Sequence, residues 1–272
     1  MGFEMKTIEI DFVCGLVERV NTHLIQLARP KPLPANREAL FQRFEESNDW
    51  AKEQLRSALY EQYPEVEWLD AEFEPDKLSP AALPETYWIC DPIDGAIQFL
   101  QGLAGWTTTL CLMEKEHPVF SLVYDVERKE AFYAYAGAGA FLNGKPLHVA
   151  CKPDLADAFL ATAHPSFMRE DVEETQALLK ASARIMPRVF ALRMLGTVSL
   201  QLAYVAAGRL DGYWEYGHDL FDWLAGSLLV KEAGGTVSGI RQDSLAGQYG
   251  DGVIAANAQL HEKLQLILNA VQ

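Results

Sequence analysis

Apolar residues recur at intervals of three and four near the start of the chain, which is the period of one face of an α-helix. The spacing predicts a helix over residues 8–27 whose apolar face packs in the core. That face consists of Phe12, Leu16, Val20, Leu24 and Leu27. A proline-rich segment, "RPKPLPAN", separates this helix from a second one, predicted over residues 37–63 and ending before Pro64.

The pattern changes to short β-rich runs between residues 86 and 149. These runs are "TYWIC", "TTTLCLMEK", "VFSLVYDV", "EAFYAYA" and "AFLNGKPLHVA". They are separated by turn residues such as Asn143-Gly144, a pair typical of hairpins. We therefore expect one antiparallel sheet in this part of the chain.

Helical and strand segments alternate after Pro153. "EETQALLKASA", "TVSLQLAYVAAG" and "DWLAGSLLVKEAGG" have the pattern of helices, and "RVFALRML" and "LDGYWEY" have that of strands. This alternation indicates an α/β half. We predict two halves, residues 1–150 with the antiparallel sheet and residues 151–272 with the α/β arrangement.

Charge and composition exclude several classes of protein. The 272 residues include 38 acids and 23 Lys or Arg, a net charge of −15, which repels polyanions, so no nucleic-acid partner is expected. The four cysteines form no CxxC pair, which argues against a zinc site or a disulfide framework. No apolar run approaches the roughly 20 residues that span a bilayer, and the start lacks a signal peptide. The sequence thus predicts a cytoplasmic protein without membrane contact.

Two acids stand three residues apart in "WICDPIDG", directly after an apolar run. Pro92 fixes the direction of the chain after Asp91, and Asp94 and Gly95 make the turn, so both carboxylates and the Ile93 carbonyl can face one point. Hard cations such as Mg²⁺ take oxygen ligands of this kind. The alternative is an Asp-rich turn that caps a helix.

A third acid, Asp222, stands at the start of the predicted apolar helix in "FDWLAGSLLVKEAGG". One interpretation is an N-cap, whose side chain accepts from free backbone amides. The other is a metal ligand, beside a helix N-terminus that attracts phosphate. Both interpretations stay open at this stage.

Four motifs occur in a fixed order: "WICDPIDG", "GAGAFLNGKPL", "LGTVSLQLAYVAAGRLDGYWEYG" and "FDWLAGSLLVKEAGG". Together they resemble the inositol monophosphatase family of Mg²⁺-dependent, lithium-sensitive sugar phosphatases, from about residue 60 onward. The resemblance implies a layered αβαβα sandwich, a homodimer, and hydrolysis of a small phosphorylated cyclitol, sugar or alcohol with Mg²⁺ or Mn²⁺ as cofactor.

The resemblance also implies roles for particular residues. The implied metal ligands are Glu72, Asp91, the Ile93 carbonyl, Asp94 and Asp222. Glu72 lies in "WLDAEF", where Asp70 and Ala71 replace the family's glycine and first glutamate, and Phe221 replaces the tryptophan before Asp222. The implied catalytic residues are Asp49, Glu72 and Asp94. Asp49 matches an upstream metal-site aspartate because Glu53 follows it four residues later, as in the family, although the family's preceding Val-Thr signature is absent.

On the substrate side the resemblance implies a pocket formed by Gly95, Ala96, Gly196, Thr197 and Glu215. Glu215 matches an acid that binds a substrate hydroxyl, and Thr197 matches a residue of the sugar pocket. Their structural alternatives are an exposed acid at a strand end and a threonine that starts a helix. Asp219 stands where the family often has a basic or imidazole side chain, which would repel a second phosphate.

Ala96 departs from the family at a position that bears on catalysis. The family has a threonine there, whose hydroxyl helps to orient and deprotonate the attacking water. The sequence therefore predicts weakened phosphatase activity, unless another hydroxyl such as that of Thr107 or Thr108 compensates. The rival hypothesis is a catalytically impaired relative that binds metal and phosphate and acts as a regulator or partner.

Overall fold

The computed structural model describes residues 8–28, 36–70, 83–218, 220–241 and 252–271. The α-helices among them are α1 (Ile10–Ala28), α2 (Arg37–Gln62), α3 (Ala96–Gln101), α4 (Val172–Ile185), α5 (Val198–Ala206), α6 (Leu220–Glu232) and α7 (Ala258–Asn269). The two helices predicted near the start of the chain are confirmed as α1 and α2. None of the described helices combines the length and apolar character that crossing a bilayer requires.

The strands of the described residues form two sheets. The first sheet contains β1 (Glu67–Trp68), β2 (Thr86–Asp94), β3 (Thr107–Glu114), β4 (His117–Asp125), β5 (Glu130–Tyr135), β6 (Gly139–Leu142) and β7 (Lys145–Pro146), in that order. Strands β2 to β7 are antiparallel, which confirms the predicted sheet. The short strand β1, which the sequence did not indicate, is parallel to β2.

The second sheet has the order β11-β12-β10-β8-β9. Its strands are β8 (Phe159–Thr162), β9 (Ala191–Arg193), β10 (Gly212–Glu215), β11 (Thr236–Ser238) and β12 (Val253–Ala256). β8 is parallel to both β9 and β10, whereas β12 is antiparallel to β10 and β11. The α/β half therefore contains a mixed sheet, and the long strand predicted around β9 is only three residues.

Three buried clusters define the layers. In the first, Val13 of α1 and Leu55 of α2 pack on Leu122 of the first sheet. In the second, Leu202 of α5 and Leu229 of α6 pack between Val123 of the first sheet and Tyr213 of the second. In the third, Leu178 of α4 and Leu264 of α7 cover the outer face of the second sheet at Trp214. This order of layers confirms the predicted αβαβα sandwich.

Adjacent strand residues point to opposite faces of a sheet, and this alternation assigns side chains to layers. Leu122 faces α1 and α2, whereas Val123 faces α5 and α6. The predicted boundary near residue 150 falls between the two sheets, but α5 and α6 share one core with both of them. The division into residues 1–150 and 151–272 therefore stays a prediction.

The close approach of α5 and α6 generates a testable prediction. A Cβ atom on Gly226 of α6 would lie 2.4 Å from Cβ and 2.7 Å from Cδ1 of the fully buried Leu202. We expect Gly226→Ala to lower the free energy of unfolding by about 1–3 kcal/mol, since the helices must separate. Urea denaturation measures the change.

The matched control is Gly15→Ala in α1. A Cβ atom there meets nothing closer than 3.5 Å, and that neighbour is the end of the flexible Arg19 side chain. Alanine should therefore raise the free energy of unfolding by up to about 1 kcal/mol through its helix propensity. Equal stabilisation by both substitutions would contradict the close packing of α5 on α6.

Candidate metal and phosphate site

Asp91 and Asp94 lie at the end of β2, where the strand is irregular. Residues three apart in a regular strand point to opposite faces. Here the pairing with β3 shifts, because Asp91 lies opposite Thr109 and Asp94 opposite Thr107. A bulge of this kind re-aims side chains. It allows both carboxylates to reach the same side of the sheet.

The third acid, Asp222, lies in the first turn of α6. Carboxylate oxygens of Asp91, Asp94 and Asp222 all lie within 4.8 Å of one another. Asp91 and Asp94 are 8% and 5% exposed, and Asp222 is partly buried. The interpretation of Asp222 as an N-cap is wrong, because α6 begins two residues earlier at Leu220. Its place in the first turn still lets its charge interact favourably with the helix dipole.

Backbone amides hold two of these carboxylates. The Ile93 amide donates to Asp91 Oδ1 at 2.9 Å, and the Ser199 amide donates to Asp94 Oδ2 at 3.1 Å. Ser199 is the second residue of α5, where amides have no acceptor within the helix. The start of α5 is therefore tied to the irregular end of β2.

Two buried threonines of β3 form hydrogen bonds with residues next to Asp91 and at the start of α5. The Thr107 hydroxyl pairs with the Ser199 hydroxyl at 2.9 Å. The Thr108 hydroxyl lies 2.8 Å from the Pro92 carbonyl and 2.9 Å from Asn21 Oδ1 of α1. Both threonines are buried, so these contacts argue against the hypothesis that either hydroxyl replaces the missing motif threonine.

Gly95 and Gly196 bring the starts of α3 and α5 together. Both have positive φ, +93° and +98°. A Cβ atom on Gly95 would lie 2.1 Å from Thr197 Oγ1, and one on Gly196 would lie 1.6 Å from Gln98 Nε2. The two positions therefore need glycine for close approach as well as for backbone conformation.

Thr197 and Ala96 lie at the starts of α5 and α3. Thr197 is the N-cap residue of α5, as the structural alternative expected, but its hydroxyl donates to the Gly105 carbonyl and not to the helix. Ala96 is the first residue of α3 and is partly buried. Gly95, Ala96, Gly196 and Thr197 thus lie side by side, and their role as a substrate pocket stays a prediction.

Glu215 lies at the end of β10 and is only 4% exposed, so the interpretation as an exposed acid is wrong. Its Oε2 accepts from the Tyr213 hydroxyl at 2.8 Å and from Trp223 Nε1 at 3.0 Å. Burial raises the pKa of the Tyr213 phenol well above its usual value, and the charges of Glu215, Asp222 and Asp94 add to the rise. Tyr213 is therefore close enough to Glu215, Asp222 and Asp94 to experience the charge of each.

Sequence reasoning missed Tyr213 and Trp223. The alternation of strand residues places Tyr213 and Glu215 on one face, and this signal was present in "GYWE". Trp223 follows Asp222, whereas the family motif has its tryptophan before the aspartate. Its role as a donor to Glu215 depends on the packing of α6 against β10, which the sequence does not show.

Of the remaining residues singled out in the sequence, two lie outside the described part of the chain and one lies on α2. Glu72 lies outside the described residues, as does Asp219. Asp49 is exposed on α2 and does not belong to the group of carboxylates around Asp91. Their assigned roles stay predictions.

The donor set of this site fits a hard divalent cation. It consists of carboxylate oxygens, which Mg²⁺ and related ions prefer, and one or two carboxylates are enough for such an ion. Mutual repulsion among three clustered carboxylates also favours a cation at this point.

Comparison with known proteins agrees with this geometry. The sequence model of the inositol monophosphatase family matches residues 39–272. The chain belongs to the inositol monophosphatase family. The resemblance inferred from the four motifs is thereby confirmed.

Individual members of the inositol monophosphatase family match parts of the chain. It is 38% identical over 151 residues to a protein of Pseudomonas aeruginosa named Nus factor SuhB, covering 56% of this chain and 55% of that protein. It is also 38% identical over 148 residues to inositol-1-monophosphatase of Rhizobium meliloti, covering 54% of each chain. The match spans about half the length of these curated relatives.

Solved structures of the family match almost the whole fold. The extragenic suppressor protein suhB of Bartonella henselae has a TM-score of 0.79 and 26% identity, covering 95% of this chain and 98% of that one. The IMPase of Thermotoga maritima has a TM-score of 0.79 and 25% identity, covering 96% of each. These likenesses confirm the inositol monophosphatase fold.

The crowding of carboxylates predicts an effect on stability without metal. In a chelating buffer, Asp91→Asn should raise the free energy of unfolding by about 1 kcal/mol, because it relieves repulsion from Asp94 and Asp222. The amide oxygen can still accept from the Ile93 N–H. Chemical denaturation at neutral pH measures the change.

The control for this prediction is Asp157→Asn, which removes the same charge at an exposed position. It should change the free energy of unfolding by less than about 0.5 kcal/mol. Destabilisation by Asp91→Asn in the absence of metal would show that repulsion is not the dominant force at the site.

Proposed function

We propose that the protein is a divalent-metal-dependent phosphomonoesterase that hydrolyses a small phosphorylated cyclitol, sugar or alcohol. The observation that carries the proposal is that carboxylate oxygens of Asp91, Asp94 and Asp222 all lie within 4.8 Å of one another. Its occurrence in a member of the inositol monophosphatase family supports phosphoryl chemistry over a purely structural role.

The proposed metal is Mg²⁺. Mn²⁺ is the alternative, because it also binds oxygen ligands. Asp91, Asp94 and Asp222 would hold it, together with the Ile93 carbonyl and Glu72. When bound, the ion supplies charge stabilisation for the phosphate and activation of water.

Other residues have proposed roles toward the substrate and the water. The start of α5, next to Gly196 and Thr197, presents backbone amides and a partial positive charge to the phosphate. Glu215 accepts a hydrogen bond from a hydroxyl of the substrate. Asp49, as an upstream metal-site acid, and Glu72 and Asp94, as metal ligands, are proposed to be the catalytic acids. Homodimer formation and a cytoplasmic location also remain proposals.

Metal binding is tested by calorimetry with Mg²⁺ and Mn²⁺. We expect the wild-type protein to bind and Asp91→Asn to lose at least about tenfold in affinity, because one charged ligand is removed. Asp157→Asn, far from the carboxylate group in sequence and exposed, should bind like the wild type. Absence of any binding heat from the wild type, with and without inorganic phosphate, would refute the proposed cofactor.

A second candidate function is a regulator or partner protein with impaired catalysis. Two observations favour it: Ala96 lacks the hydroxyl of the motif threonine, and several matching relatives are named Nus factor SuhB. Thr107 and Thr108 are held by other contacts, so the described structure offers no replacement from either of them.

Restoring the hydroxyl separates the two functions. General-base assistance contributes typically about 10²–10⁴-fold to a rate, whereas activation of water by a metal is a separate contribution. Ala96→Thr should therefore raise kcat by about tenfold or more on an accepted phosphate ester. The affinity for Mg²⁺ should not change, because residue 96 is not a proposed ligand.

The matched control is Ala96→Val, which has the shape of threonine without the hydroxyl and should not raise kcat. A wild-type enzyme with ordinary phosphatase rates and no gain from Ala96→Thr would show that the hydroxyl is dispensable. Metal binding without turnover in either protein would favour the regulatory function.

A further inference from the structure

Large apolar side chains are exposed on both sides of the contact between α3 and the start of α5. Ile97 is the second residue of α3 and is 57% exposed. Met194 and Leu195 are 51% and 44% exposed and directly precede Gly196. Gly196 in turn lies against α3, because a Cβ atom on it would lie 1.6 Å from Nε2 of Gln98. The three apolar residues therefore flank the place where the two helix starts meet.

The topology of the second sheet puts further apolar residues at the same edge. β8 is parallel to β9 and to β10, so the carboxyl ends of these strands lie at one edge of the sheet. Met194 directly follows β9, Phe167 lies in the segment after β8, and Glu215 is the last residue of β10. The exposed ring of Phe167 stacks on that of Phe41 in α2, with 6.5 Å between the centroids. Apolar side chains therefore border the edge where β10 ends.

A group of exposed apolar side chains beside a polar site is typical of a ligand pocket, although single ones are common on any surface. Such pockets have apolar walls and a few polar groups that fix the orientation of the ligand. Here the walls are Ile97, Met194 and Leu195, and the polar groups are the amides at the start of α5 and the acids of the proposed metal site.

These walls favour one kind of organic group on a phosphate ester. A polyol gains little from them, because its hydroxyl groups lose hydrogen bonds to water and the apolar side chains offer none in return. An apolar group gains free energy, since its own surface and that of the walls are both removed from water.

We propose that the substrate is the phosphate of an apolar or aromatic alcohol, whose organic group lies against Ile97, Met194 and Leu195. The inference rests on the proposed function for the place of the phosphate. It narrows the class of substrate from cyclitols, sugars and alcohols to alcohols with an apolar organic group. The position of the walls next to Gly196, at the start of α5, favours the ester over a protein partner as the group that covers them.

Binding of three phosphonates tests the inference without turnover, since a phosphomonoesterase does not cleave a carbon–phosphorus bond. They are methylphosphonate, benzylphosphonate and dihydroxypropylphosphonate, each measured by calorimetry with Mg²⁺ present. The wild type should bind benzylphosphonate about five- to twentyfold more tightly than methylphosphonate, because the ring is removed from water. The dihydroxypropyl compound should bind less tightly than the benzyl compound.

Two substitutions locate the preference. Ile97→Asn and Leu195→Asn should each lower the ratio of benzyl to methyl affinity about two- to fivefold, with less than about a twofold change for methylphosphonate. Both positions are exposed, so the fold should tolerate these changes. Leu266→Asn is the matched control, because Leu266 is 75% exposed on α7, which covers the outer face of the second sheet. It should leave the ratio unchanged.

Four results would overturn the inference. They are equal affinity of the wild type for the benzyl and methyl compounds, tighter binding of the dihydroxypropyl than of the benzyl compound, no binding of any of the three, and a benzyl preference that survives both substitutions. The last result would assign Ile97 and Leu195 to another contact, such as a protein partner.

Hydrolysis of benzyl phosphate and of glycerol phosphate is measured separately and tests the proposed function itself. Lack of hydrolysis of both, together with a benzyl preference that needs Ile97 and Leu195, would refute the phosphatase activity and leave the apolar contact supported. Hydrolysis of glycerol phosphate without a benzyl preference would support the phosphatase activity and refute the apolar contact.

Discussion

Mutual repulsion of three carboxylates is the force that the structure around the site must overcome. Asp91, Asp94 and Asp222 place oxygens within 4.8 Å of one another, and two of them are almost wholly buried. Such a group persists only where the surrounding structure fixes it, because burying like charges together is costly. The structure fixes it with a bulge in β2, with amide donors from Ile93 and Ser199, and with the first turn of α6. The proposed divalent cation would offset the charge that remains.

The middle helical layer of the sandwich packs against both sheets and also helps to fix the three carboxylates in place. Helices α5 and α6 bury residues against both sheets, and Gly226 permits their close approach. Both helices begin at the site, since Ser199 is the second residue of α5 and Asp222 the third of α6. Helix starts offer unsatisfied amides and a favourable field for anions. Packing of the core and electrostatics of the site are therefore set by the same two elements.

Local patterns in the sequence were enough to predict the first two helices and the antiparallel sheet, and to single out the three aspartates. Periodicity reports which face of an element is apolar, and the motif spacing identified the family. The sequence could not show what covers a given face. For this reason Glu215 was open to interpretation as exposed, although it is buried and accepts a hydrogen bond from Trp223. Asp222 was likewise open to interpretation as a cap, although α6 starts earlier. At the irregular pairing, the Pro92 carbonyl accepts from the hydroxyl of Thr108 in the neighbouring strand, a contact that the sequence does not show.

The loss of the threonine hydroxyl at Ala96 leaves this architecture intact. The contacts that hold the end of β2 come from Ser199, Thr108 and the amide of Ile93, and none of them uses the side chain of residue 96. The packing of Thr197 over Gly95 also depends on the neighbouring glycine and not on Ala96. If the site holds a cation and phosphate as proposed, that role is therefore physically separable from orienting the water. On the proposed function, the absence of this hydroxyl would therefore weaken catalysis without disturbing the group of three aspartates.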